Sequence, residues 1–477
     1  MRFRLWKSLS LKNFNLKGLW SRQSVKIWAG LTLLGGFIGT IANLNEVLDI
    51  FSSDETTELV ADTRSTVAST DAKIDELLKL MRIQSALAGA EFDPQSEELI
   101  RAAMEAILTS GDARRAAARE ALNRGDVEAA ATAIRRLAIE QSEVAGGAAQ
   151  AAAENWKEVG ALSAPRDPQA AADAYERALA LDPENADARI SLGSALYVMG
   201  DFAAAEVAYE RVRASVDQSS FDYGWATQGL GLISLARGDV KKAEEYFLVA
   251  DAFAAHADGA RLGAVSGINL AAIARRRGDF EQADKLLRRS IELALKADAP
   301  AYEARASAQL ALVMFQRGEK EKGADLMRQA NAMYESRGEL RHQSTTIGNL
   351  GAMALQQGDT ETAEKYIVQS VELADRLGLK QSMAEDLNNL AELARQRGDL
   401  RVATGYVERA TSIANEIGLE SLSPYIAATS AQIAQDAGDH MKACTLYAEA
   451  SRGLGAQQDM TKDAVDDLAV KAGCSGS

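Results

Sequence analysis

Residues 388–407 read NNLAELARQRGDLRVATGYV, and this stretch decides the fold. A leucine, Leu390, is followed by the small residue Ala391; Gly398-Asp399 comes eight residues after the leucine, and Ala403 five residues after the glycine. The same frame recurs along the second half of the chain. Its glycines are Gly200, Gly238, Gly278, Gly318, Gly358, Gly398 and Gly438, the first interval being 38 residues and every later one 40. An acidic residue follows each: Asp201, Asp239, Asp279, Glu319, Asp359, Asp399 and Asp439. The leucine recurs as Leu192, Leu230, Leu270, Leu310 and Leu350, with Ser430 as the exception. Self-similarity at this period means a stacked array of one supersecondary unit.

Apolar residues spaced three, four and seven apart flank each turn, which predicts two amphipathic helices per unit. The glycine is expected to end the first helix in a left-handed conformation, and the acid to cap the second. Small residues at Gly193, Gly231, Ala271 and Gly351, and at Ala205, Ala243, Ala283 and Gly323, let the two helices approach at their crossing. The unit is a helical hairpin.

These residues resemble the tetratricopeptide repeat (TPR). Residues 167–201 fit its usual 34-residue period, with Tyr175, Ala178 and the closing Asp182-Pro183, while the later 40-residue units are similar to kinesin light chain-type repeats. A weaker unit sits at Gly125-Asp126 with Ala130. The resemblance implies an all-α, right-handed superhelical solenoid of about nine hairpins over residues 96–455. Residues 456–477 follow, with Thr461–Ala472 expected as a short helix covering the last hairpin.

The other end carries a different signal. Residues 1–26 hold seven basic groups and no acid, and residues 27–44 hold no charge at all. That predicts a basic cytoplasmic tail and a transmembrane helix, with the body translocated to the outer, periplasmic side of an inner membrane. A cleaved signal peptide ending near Thr40 and Ala42, or a buried soluble helix, are the alternatives. Residues 45–95 read as a stalk. Val60, Val67, Ile74 and Met81 recur every seven residues, which fits a short coiled coil and a homo-oligomer through the stalk. It fits equally a single amphipathic helix leaning on the first hairpins.

Composition narrows the function. The net charge is −15, and subtracting the seven N-terminal positive charges leaves −22 on the rest, which opposes nonspecific nucleic-acid binding. His256, His342 and His440 lie in different repeats, and no phosphate loop, nucleophile elbow or zinc spacing is present. No cofactor and no enzyme are expected. Cys444 and Cys474, far apart in local structure, read as a buried thiol and a loose tail thiol in preference to a disulfide.

The expected working surface is the concave groove. The resemblance places the residue before each motif leucine there: Ser191, Gly229, Asn269, Gln309, Asn349, Asn389 and Thr429. Side-chain amides both donate and accept, so Asn269, Gln309, Asn349 and Asn389 suit the backbone of an extended protein or peptide partner. The same amides would equally serve to bond adjacent repeats together. Arg305, with Arg275, Arg276 and Arg395 near the turn ends, would form a basic strip if they converge, and otherwise stand in solvent. The expected role is a membrane-anchored adaptor or scaffold. Alternatives are a self-assembling scaffold and a sensor that signals through the stalk.

Overall fold

The computed structural model describes residues 70–474 apart from 91, 93, 143–147, 257–258 and 455–458. The basic tail, the expected membrane helix and the heptad positions Val60 and Val67 lie outside the described residues. Among the described residues no helix is long and apolar enough to cross a membrane.

The described residues form 21 α-helices and no strand. They are α1 (Thr70–Leu87), α2 (Pro94–Thr109), α3 (Ala116–Asn123), α4 (Val127–Ser142), α5 (Ala148–Ser163), α6 (Pro168–Leu181) and α7 (Ala186–Val198). Then come α8 (Phe202–Ser215), α9 (Phe221–Ala236), α10 (Val240–Asp251), α11 (Ala260–Arg276), α12 (Phe280–Lys296), α13 (Pro300–Gln316) and α14 (Lys320–Arg337). The last are α15 (Leu340–Gln357), α16 (Thr360–Leu377), α17 (Lys380–Gln396), α18 (Leu400–Glu416), α19 (Ser423–Asp436), α20 (His440–Leu454) and α21 (Asp459–Lys471). Helices α3 to α20 pair into nine hairpins, and α1–α2 precede them.

The turn chemistry is the expected one. Each turn glycine has positive φ, from 78° at Gly278 to 88° at Gly318, a conformation that costs a residue with a Cβ about 1–2 kcal/mol. The following acid accepts from the backbone N–H three residues on at Asp126, Asp201, Asp239, Asp279, Asp359 and Asp439. Glu319, one carbon longer, makes no such bond and pairs with Lys322 instead; Asp399 also makes none, and nothing in the structure explains it. A Cβ on Gly351 would stand 2.4 Å from Cγ1 of Ile367, and one on Gly231 2.5 Å from the Phe247 ring, so the small residues do set the helix crossing.

A second glycine series joins successive hairpins. Gly338, Gly378 and Gly418 are also left-handed, and Asp298 holds the equivalent place with φ 46°. Stacking buries leucines, alanines and aromatic rings between neighbouring hairpins, so the core is a chain of adjoining clusters, as in other repeat arrays. The first helices also touch their counterparts in the next hairpin: α7 with α9, α9 with α11, α11 with α13, α15 with α17, and α17 with α19. That shared side is the inner face of the stack.

At the C-terminus α21 covers the last hairpin with Val465, Leu468 and Ala469, as expected of an end cap. The cysteines depart from expectation. Cys444 and Cys474 form a disulfide with Cα atoms 5.4 Å apart, because α21 folds back along α20 and returns residue 474 to it. At the other end Ile74, Leu77 and Met81 of α1 are buried in one apolar cluster with Ile100, Met104 and Ile107 of α2 and residues of the first hairpins. Residues 70–87 therefore lean on the array as a single helix.

Candidate functional site

The inner face is built from one side of the odd-numbered helices α7 to α19, and the residue before each motif leucine falls on them. What occupies that place differs along the stack. Ser191 is buried and donates to the Asp187 carbonyl at 2.8 Å. At Gly229 the ring of Tyr209 fills the space a side chain would need, 2.4 Å from a Cβ, and Thr429 turns back to the Tyr425 carbonyl. These three end positions offer little to a partner.

The four central amides divide. Asn269 is 3% exposed; its Oδ1 accepts from Nη2 of Arg305 at 3.4 Å, while its Nδ2 has no hydrogen-bond partner among the described residues. Gln309, Asn349 and Asn389 are half-buried, and none bonds to a neighbouring repeat among the described residues. Of the four amides, only Asn269 bonds to the next repeat among the described residues, through Arg305.

The arginines do not form one strip. Arg305 is half-buried on α13 against Asn269 of α11. Arg276 is exposed at the turn end of α11. Arg395, three hairpins further on, is held by Glu392 at 2.7 Å and by Asp436 of the next hairpin at 2.6 Å, so its charge is already matched. Arg275 is the more unusual group. It makes no ion pair among the described residues, its Nε is buried without a partner, and burial followed by the neighbouring Arg276 lowers its pKa.

Other first-helix groups were not legible beforehand. Gln228 of α9 accepts from Ser266 of α11 at 2.9 Å and leaves Nε2 buried and unpaired. On α17 Asn388 leaves Oδ1 unpaired, and Asp386, 4% exposed, leaves Oδ2 unpaired. Burial pushes the Asp386 carboxyl up to about 7, a hydroxyl contact with Ser370 offsets part of this, and Glu385 adds to it. Buried polar atoms are nearly always paired in folded proteins; here unpaired ones occur on α9, α11 and α17 and also on α1, α5 and α8, at Arg82, Glu158 and Arg213. Trp225 is packed between the clusters on either side of α9, whereas Tyr425 is 37% exposed. Among the described residues no group of three His, Cys, Asp or Glu side chains is placed to hold a metal ion.

Comparison with known proteins agrees with the geometry. Tetratricopeptide repeat family models match residues 162–223, 268–300 and 342–416. No curated protein sequence matches the chain. Among solved structures, the apo form of RapI is 13% identical, covering 75% of this chain and 97% of its own, with a TM-score of 0.53. A Rap protein complexed with Competence and Sporulation Factor is 11% identical, covering 77% of this chain and 99% of its own, at 0.50. A signal transduction ATPase with a tetratricopeptide repeat sensor, from Pyrococcus horikoshii, is 13% identical, covering 87% of this chain and 62% of its own, at 0.50. Identities this low speak for the fold alone. The family-model matches show that the chain carries tetratricopeptide repeats at these residues, and the described helices stack as an all-α solenoid of hairpins.

Proposed function

We propose that the chain is a non-enzymatic adaptor or scaffold that holds an extended segment of a partner protein along its inner face. The observation that carries this reading is the run of half-buried amides at Gln309, Asn349 and Asn389, at one register position of three consecutive hairpins, with no hydrogen-bond partner in the neighbouring repeats among the described residues. Amides spaced by one repeat meet successive backbone groups of an extended chain and leave its sequence largely unread. The Rap protein solved with Competence and Sporulation Factor has a similar fold and was captured with a bound partner, in line with this use.

The same reading places the body outside the cytoplasm, behind a membrane helix at residues 27–44. The Cys444–Cys474 disulfide supports it, since such bonds persist in oxidising compartments.

The test is crosslinking of the full-length protein in its own cells beside the Asn349→Ala/Asn389→Ala variant. Proteins captured by the native chain and lost from the variant, with melting of the two nearly equal, support the inner face as the binding surface. An unchanged capture set would put binding elsewhere. Capture of the chain by itself alone would favour self-assembly.

A further inference from the structure

The hairpins touch mainly their neighbours in sequence, yet one set of contacts links residues about 240–255 positions apart. Arg82 of α1 reaches the end of α14: its Nη1 donates to the Arg337 carbonyl at 3.0 Å, and its Nη2 pairs with Glu97 of α2 at 2.7 Å. The other oxygen of Glu97 pairs with Nη2 of Arg337 at 2.7 Å, and Nε of Arg337 pairs with Glu339 at 2.6 Å. The four side chains are between 5% and 13% exposed. Around them Arg341 of α15 donates to the Gly89 carbonyl at 3.3 Å, and Arg261 of α11 pairs with Glu98. Gly338 makes the approach feasible, since a Cβ there would stand 3.0 Å from Ile83 and 3.1 Å from Lys79.

The two sides of α1–α2 differ in chemistry. Toward the first hairpins the pair belongs to one apolar core that runs from Ile74 to Ala188 and includes no residue of α9 to α20. On that side Ser85 also donates to the Pro165 carbonyl at 3.0 Å, and Ser96 and Leu99 of α2 line a small cavity with Tyr175 and Ser191. Toward α11, α14, α15 and α16 the pair presents this charge network and bonds to backbone carbonyls, with Ile83 and the Lys79 stem packed beside Gly338. An apolar core is lost chiefly by unfolding, whereas a buried ion-pair network opens when one partner is removed or when a competing charge replaces it.

We propose that α1–α2 is a clasp: fixed to the first hairpins by its apolar side, it closes the solenoid onto its own middle through Arg82, Glu97, Arg337 and Glu339, and its release lets the array uncoil without unfolding. In a stack where each unit touches only its neighbours, curvature is free to vary. A bridge across the stack removes that freedom. The clasp rests on these contacts alone and is independent of what the inner face binds.

Spin labels on the full-length protein test it, since both native cysteines are engaged in the disulfide. One pair, Ala88→Cys with Ser336→Cys, spans the clasp; a second, Ala88→Cys with Gln150→Cys, lies within the N-terminal block, all three sites being exposed. Removing one partner of a buried ion pair shifts its equilibrium by roughly a hundred- to several-thousandfold. Glu97→Gln is therefore expected to add a longer distance to the first pair and leave the second unchanged. Arg341→Ala, a milder change at the rim, is expected to do so to a smaller extent. If the 88–336 distance stays single in both variants, the contacts do not hold the array closed. If both pairs broaden together, the N-terminal block itself yields and there is no clasp.

Discussion

Asp386 gives the most exposed prediction. Its side chain lies where α15, α16 and α17 meet, close enough to Gly348 that a Cβ there would be 2.6 Å from its Oδ1. The Ser370 hydroxyl donates to the Ser344 carbonyl at 2.9 Å, and its contact with the carboxyl offsets burial only in part. Burial thus raises the carboxyl from 3.8 to about 7. The sign follows. The folded state binds this proton more tightly than the unfolded chain, so stability from the group is fully present below pH 3.8 and falls as pH rises to about 7. Three units at about 1.4 kcal/mol each give a loss of about 4 kcal/mol above neutrality. Asp386→Asn keeps the shape and cannot ionise. Urea melts of the native chain and the variant at several pH values isolate the group, because all other carboxylates cancel in the difference. The variant is expected to match the native chain near pH 4 and to exceed it by several kcal/mol at pH 8. A difference that is flat with pH, or a variant less stable at pH 8, would refute the argument.

Two further outcomes follow from packing and crosslinking. Reducing Cys444–Cys474 releases a closure across 30 residues, worth about 3–4 kcal/mol, and the loss should stay local. Hydrogen exchange should speed up in α21 and the end of α20 while α11 to α18 keep their protection; uniform loss would mean that the cap supports the whole array. Gly351→Ala puts a methyl 2.4 Å from Cγ1 and 3.1 Å from the backbone nitrogen of Ile367, so α15 and α16 must separate. A thermal melt should show a cost of about 1–3 kcal/mol, and an unchanged midpoint would mean that the crossing is looser than it stands here.

The hairpins, their number and the chemistry of their turns were legible in the sequence because each depends on residues within about 20 positions of one another. Gly398 stops a helix by its own backbone freedom, and Asp359 caps one by reaching three residues ahead. The second glycine series at Gly338, Gly378 and Gly418 carried the same 40-residue signal and was there to be found. The candidate site was legible only in part. Register put Asn349 and Asn389 at one place in the first helices, but it did not reveal that Tyr209 fills the place of Gly229, that Arg305 covers Asn269, or that Asp436 neutralises Arg395. Those outcomes depend on how adjoining hairpins stack. The Cys444–Cys474 bond, the buried carboxyl of Asp386 and the Arg82–Glu97–Arg337 bridge were beyond reach for the same reason at longer range. Sequence sets local conformation through sterics and capping, but a contact spanning some 240 residues exists only once the accumulated curvature of the array has brought its two ends together.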